Sequence, residues 1–131
     1  MKPNLLEPIR SVLRRHPELR MVLLFGSLAA GRAGPHSDVD LAVAADQPLK
    51  AEEKMRLMAE LAEATGRPVD LIDLKVVGEP LLGQILQGGK RILGSDEHYA
   101  ELIKRHLFEE ADFMPYYRRI LAERRRAWLG K

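Results

Sequence analysis

Asp38 and Asp40 sit two residues apart, after a ten-residue gap that follows the pair Gly26-Ser27. In an extended strand, residues i and i+2 point to one side, roughly 6.5–7 Å apart at Cα. The spacing therefore predicts two carboxylates on one face and Val39, Leu41 and Val43 on the other, apolar face. Adjacent carboxylates repel, and divalent cations relieve that repulsion. Magnesium takes oxygen ligands and keeps phosphate oxygens and waters in its shell. A pair of such ions about 3.5–4 Å apart can clamp the attacking and leaving oxygens of an in-line displacement. Gly26 has no Cβ, so a phosphate can approach its backbone, and the Ser27 hydroxyl with nearby amides can hold one. The chemistry this pattern suits is the handling of a nucleoside triphosphate and its magnesium ions.

The elements that must position these groups are legible on either side of them. Met21–Phe25 is an apolar run of strand length. A short helical or looped segment follows, broken by Gly31, Gly34 and Pro35, and a strand over 38–45 ends at Asp46-Gln47-Pro48. Leu5, Leu6, Ile9, Val12 and Leu13 have helical spacing ahead of Pro17. A helix from about Leu49 to Ala64 carries a stripe of Met55, Leu57, Met58, Leu61 and Ala62, with Glu52, Glu53, Lys54, Glu60 and Glu63 outside it; Thr65-Gly66 closes it. Residues 69–74 read as a third strand with two further carboxylates, Asp70 and Asp73. Their odd separation puts them on opposite faces, so only one can join Asp38 and Asp40. Periodicity does not choose between them. A short helix near Leu81–Leu86 stops at Gly88-Gly89, and Lys90–Gly94 makes a brief strand.

The last third is helical in pattern, with a stripe of Tyr99, Leu102, Ile103, His106, Leu107 and Glu110. Pro115 should kink or interrupt it. Tyr117, Ile120, Leu121 and Trp128 continue an apolar face, and Arg118, Arg119, Arg124, Arg125 and Arg126 make a basic end. This apolar excess suggests a protein partner or a homodimer.

Composition bounds the alternatives. The 131 residues suggest one domain, with a core over about 1–95 and a helical segment over about 96–129. There are no cysteines, which excludes disulfides and thiolate metal sites. No signal peptide or membrane span is apparent, so a cytoplasmic protein is expected. The net charge of +2 makes no demand for nucleic acid. His16, His36, His98 and His106 show no metal-ligand spacing. His36 is the one nearest the carboxylates in sequence.

Phe25-Gly26-Ser27, Ser37-Asp38-Val39-Asp40-Leu41 and Val69-Asp70-Leu71 together resemble the minimal nucleotidyltransferases of the DNA polymerase β superfamily, above all the MNT-type antitoxins paired with HEPN ribonuclease toxins. The resemblance covers about residues 20–95. It implies an α/β (α+β) fold with a small mixed sheet packed with helices. It implies Gly26 and Ser27 as triphosphate-binding, with Arg32 and Ser37 added to the nucleotide site, and Asp38 and Asp40 as magnesium ligands. It also favours Asp70, at the start of its strand, as third carboxylate, ligand or base. One departure is Ala30 before Gly31, where many relatives carry Arg; Arg32 can supply that charge. The implied activity is Mg²⁺-dependent transfer of AMP from ATP to a tyrosine of a partner HEPN toxin. Two other readings stay open: an antitoxin acting by binding alone, and a transferase acting on a small molecule or RNA.

Overall fold

The computed structural model describes residues 5–128, excepting the side chains of 112–118, 120, 121 and 125–128. The order is α1 (Leu6–Leu13), β1 (Leu19–Phe25), α2 (Gly26–Ala29), β2 (Val39–Ala45), α3 (Ala51–Thr65), β3 (Val69–Asp73), α4 (Leu81–Gly88), β4 (Lys90–Gly94) and α5 (Asp96–Trp128). The sheet runs β3-β2-β1-β4, with β1 antiparallel to both β2 and β4 and β2 parallel to β3. The expected small mixed sheet is therefore present. β1 begins two residues earlier than the apolar run suggested, and β2 begins at Val39, which leaves Asp38 at its mouth.

Both faces of the sheet are buried. One carries Val22, Leu24, Val39, Leu41, Val43 and Leu71, packed against Ile9, Val12 and Leu13 of α1 and Leu57 and Leu61 of α3. The other carries Met21, Leu23, Ala42, Ala44 and Leu74 beneath Leu82 and Ile85 of α4 and Leu102 of α5. The sequence pattern had the Asp38/Asp40 face pointing away from a core. Instead α4 and α5 cover that face beyond Asp40, and the small side chains of Ala42 and Ala44 leave room for them. Burying both faces suits β2, whose residues after Asp40 form an unbroken apolar run.

Helix α3 starts at Ala51, where the Lys50 amide donates to Glu53 Oε1 at 3.2 Å, and ends on Gly66 in the left-handed conformation, φ +68°. Two members of its expected pattern differ. Met55 is 70% exposed, because the buried stripe narrows to Leu57 and Leu61. Glu60 is only half-buried on the outside: it turns toward His16 Nε2, 2.9 Å away, and Arg15, tying α3 to the end of α1. Helix α5 is not interrupted at Pro115. Ala111, whose carbonyl the proline leaves without an amide, is exposed, so water can meet it.

α5 is seated through Leu102 and Tyr99, and through Arg105, which donates to the Leu74 carbonyl at 2.7 Å and the Val77 carbonyl at 3.1 Å. Ile103 and Leu107, expected on the packed stripe, are 36% and 57% exposed. Tyr117, Ile120, Leu121, Trp128, Arg118, Arg125 and Arg126, expected to extend the apolar face and the basic end, lie outside the side chains described. No helix among the described residues is long and apolar enough to cross a membrane.

Candidate active site

Three strand ends meet at one edge of the sheet. β1 delivers Phe25 and, directly after it, Gly26-Ser27; β2 and β3 begin there with Val39 and Val69. The antiparallel register sets Phe25 opposite Asp40, and the parallel register sets Asp40 beside Asp70. Residues with the same parity share a face, so Asp40 and Asp70 lie on the α4/α5 side, where that side's apolar packing stops.

Gly26 closes the site from the β1 side. Its φ is +74°, a conformation that glycine adopts without steric cost. A Cβ there would lie 2.9 Å from Asp40 Cγ and 3.2 Å from Asp40 Cβ, so the backbone of the turn is pressed against the Asp40 carboxylate. Ser27 is half-buried in the four-residue α2. The Arg32 amide donates to the Ser27 carbonyl at 2.9 Å, which folds the following loop back onto the turn; Arg32 itself is exposed.

Partial burial, then the charges of Asp70 and Asp38, hold the Asp40 carboxyl above the usual carboxylate range. The two neighbours thus act on Asp40 through space, and a positive charge placed among the three would relieve that repulsion. Asp38 and Asp70 are exposed and Asp40 half-buried. Among the described residues no three carboxylate or imidazole groups are gathered tightly enough to form a finished metal cage. The donor set nevertheless fits a hard cation whose shell is completed by water and phosphate oxygens, the habit of magnesium.

Asp73 is in a different environment. It is 7% exposed, and its two oxygens accept the Leu49 amide at 2.8 Å and the Lys75 amide at 2.9 Å. It joins the entry to α3 to the exit of β3, on the opposite face from Asp70. Ser37 has its hydroxyl 2.8 Å from the Gly34 amide, from which it accepts, and its carbonyl 3.0 Å from Arg67 Nη1. His36 is exposed in the same loop. The sequence reading passed over Arg67. Its partners are main-chain carbonyls some thirty residues away, and only its place two residues before β3 could have pointed to it.

Residues 7–98 match the family Polymerase beta, Nucleotidyltransferase, and the chain belongs to that family. It is similar to the protein adenylyltransferase MntA of Shewanella oneidensis, with 35% identity over 81 residues, 62% of this chain and 58% of that relative. The matched stretch thus spans little more than half of the relative. Among solved structures, a chain in the crystal structure of a toxin–antitoxin with AMP-PNP superposes with a TM-score of 0.72 at 27% identity, over 88% of this chain and 98% of that one. Another, in a structure of the tri-AMPylated Shewanella oneidensis HEPN toxin in complex with MNT antitoxin, gives 0.67 at 25%, over 89% and 96%.

Proposed function

We propose that this protein is a magnesium-dependent adenylyltransferase antitoxin, which transfers AMP from ATP to a tyrosine hydroxyl of a HEPN-type ribonuclease partner and so silences it. The observation that carries the reading is the meeting of Gly26, Asp40 and Asp70 at one sheet edge, with the Asp38 charge felt at Asp40. Family membership supports nucleotidyl transfer. The similar structure with AMP-PNP supports the nucleotide, and the one in which the HEPN toxin bound to an MNT antitoxin is AMPylated supports a HEPN-type acceptor.

In this reading the Gly26-Ser27 turn receives the triphosphate, the bare Gly26 backbone admitting it beside Asp40. Arg32 and Ser37 border the nucleotide. Asp38, Asp40 and Asp70 hold the magnesium ions, which supply charge neutralisation of the triphosphate and activation of the acceptor. The acceptor oxygen attacks the α-phosphorus in line. The bond from that phosphorus to the bridging oxygen breaks, pyrophosphate leaves, and the hydroxyl proton passes to Asp70 or through it to water. The protein's contribution is positioning and electrostatics rather than covalent chemistry.

Residues 1–131 act as one domain in this reading, with the core to about 95 and the tail presenting the partner surface. Ile103, Leu107 and Phe108, all exposed on α5, support hetero- or homo-oligomer formation there. The cytoplasm is the proposed location, as the site of both ATP and a ribonuclease target. Incubation of the protein and partner with ATP labelled at either the α- or the γ-phosphate tests the reaction class. Label on protein from the α-position alone is expected; label from the γ-position would make the protein a phosphotransferase instead.

A further inference from the structure

The loop that carries Asp38 is closed by a residue from the turn that leads into β3. Arg67 Nη1 lies 2.9 Å from the Gly34 carbonyl and 3.0 Å from the Ser37 carbonyl and donates to both. The same two residues are already joined to each other: the Ser37 amide donates to the Gly34 carbonyl at 3.3 Å, and the Gly34 amide to Ser37 Oγ at 2.8 Å. Gly34-Pro35-His36-Ser37 is therefore a tight turn whose outward carbonyls converge on one guanidinium. Two residues on, the Val39 amide donates to the Pro68 carbonyl at 2.8 Å. Arg67 and Pro68 thus grip both ends of the segment that contains Asp38, while Asp70 follows two residues after Pro68, in β3.

We propose that Arg67 is a positioning residue for the carboxylate site, fixing Asp38 against Asp40 and Asp70 by clamping the 34–37 turn to the mouth of β3. The inference rests on the reading of those three aspartates as the cation site. Asp38 stands outside β2 and is exposed, so no sheet hydrogen bond or core packing of its own side chain fixes it. The ten residues between Ser27 and Asp38 hold only the end of α2 and loop. A loop of this kind keeps a carboxylate in place only if something restrains it near that carboxylate. The clamp does so through charge-assisted bonds to backbone carbonyls, which are stronger than neutral ones. It also ties the segment before β2 to the segment before β3, so that Asp38 is held in register with Asp70.

Arg67→Ala and Arg67→Lys test this, with the fold checked by circular dichroism. The first readout is amide hydrogen exchange over residues 34–38, without metal or nucleotide. Exchange should quicken in Arg67→Ala and stay near wild type in Arg67→Lys, because one ammonium can still meet both carbonyls. The second is Mn²⁺ titration, in which Arg67→Ala should weaken binding by about 10–100-fold, the usual effect of losing a group that orients a metal ligand. Wild-type protein that binds no Mn²⁺ would sink the reading of the aspartates, and the exchange data would still decide for or against the clamp. Unchanged exchange over 34–38 in Arg67→Ala, or Mn²⁺ affinity equal to wild type, would overturn the inference.

Discussion

Gly26→Ala, with Gly66→Ala as its control, separates backbone conformation from the site. The two glycines have nearly equal φ, +74° and +68°. A Cβ at Gly66 meets nothing within 4 Å, whereas at Gly26 it meets the Asp40 side chain as far in as its Cβ, at 3.2 Å. Both alanines bear the cost of a left-handed conformation, about 1–2 kcal/mol. Only Gly26→Ala adds a steric conflict, for which overpacking costs of roughly 1–3 kcal/mol apply, toward the lower end because the Asp40 carboxylate can swing aside. That swing is the functional consequence, since it moves Asp40 away from Asp70 and Asp38. Thermal melts should therefore place Gly26→Ala about 1–3 kcal/mol below wild type beyond the loss in Gly66→Ala, or several degrees for a chain of this size. Transfer from ATP should fall by orders of magnitude in Gly26→Ala and stay near wild type in Gly66→Ala. Equal melting points with full activity in both variants would refute the claim that the turn is pressed against Asp40.

Asp70→Asn should abolish transfer at little cost in stability, whereas Asp73→Ala should keep the site chemistry yet lose roughly 1–3 kcal/mol, because two amides lose their acceptor; the two assays run side by side, and the reverse pattern would exchange the roles. The native state raises the Asp40 pKa, so it binds more protons than the unfolded chain from the ordinary carboxylate pKa up to the raised one, and stability falls as pH rises through that window. In metal-free protein Asp40→Asn should accordingly raise the melting temperature at pH 7, though not at a pH below both values. His106 is held above its ordinary pKa by its hydrogen bond to Glu79, with the Glu79, Glu110 and Glu109 charges assisting and desolvation opposing. Its contribution should be complete below about pH 6.5 and be lost as pH rises through the raised value; melts of His106→Gln across pH 6–9 should lack that step.

Much of the positioning was legible because it depends on local pattern. The apolar runs at Met21–Phe25 and Leu41–Ala44 locate the central strands, and the period of two separates Asp40 from Leu41. Gly66 ends α3 where the sequence placed the stop. What was not legible depends on strand order and on contacts distant in sequence. Asp70 and Asp73 both sit among apolar neighbours, so only the parallel register with β2 shows which lies beside Asp40. The cover over the aspartate face comes from Leu82, Ile85 and Leu102, forty or more residues downstream of Asp40. Arg67 acts on carbonyls, which have no residue signature. Met55 fitted the helical stripe of α3, but its side chain faces solvent because Leu57 and Leu61 already fill the contact with the sheet.

The central claim is that Asp38, Asp40 and Asp70 form a site for moving AMP onto a protein hydroxyl. Intact-mass spectrometry of the HEPN-type partner, after incubation with this protein, ATP and magnesium, tests it most directly. Mass increments equal to whole AMP groups are expected, mapped by fragmentation to tyrosine, absent without magnesium and absent with Asp38→Asn or Asp40→Asn protein that remains folded. An unmodified partner that is nonetheless silenced by binding would contradict it, as would undiminished modification by either variant.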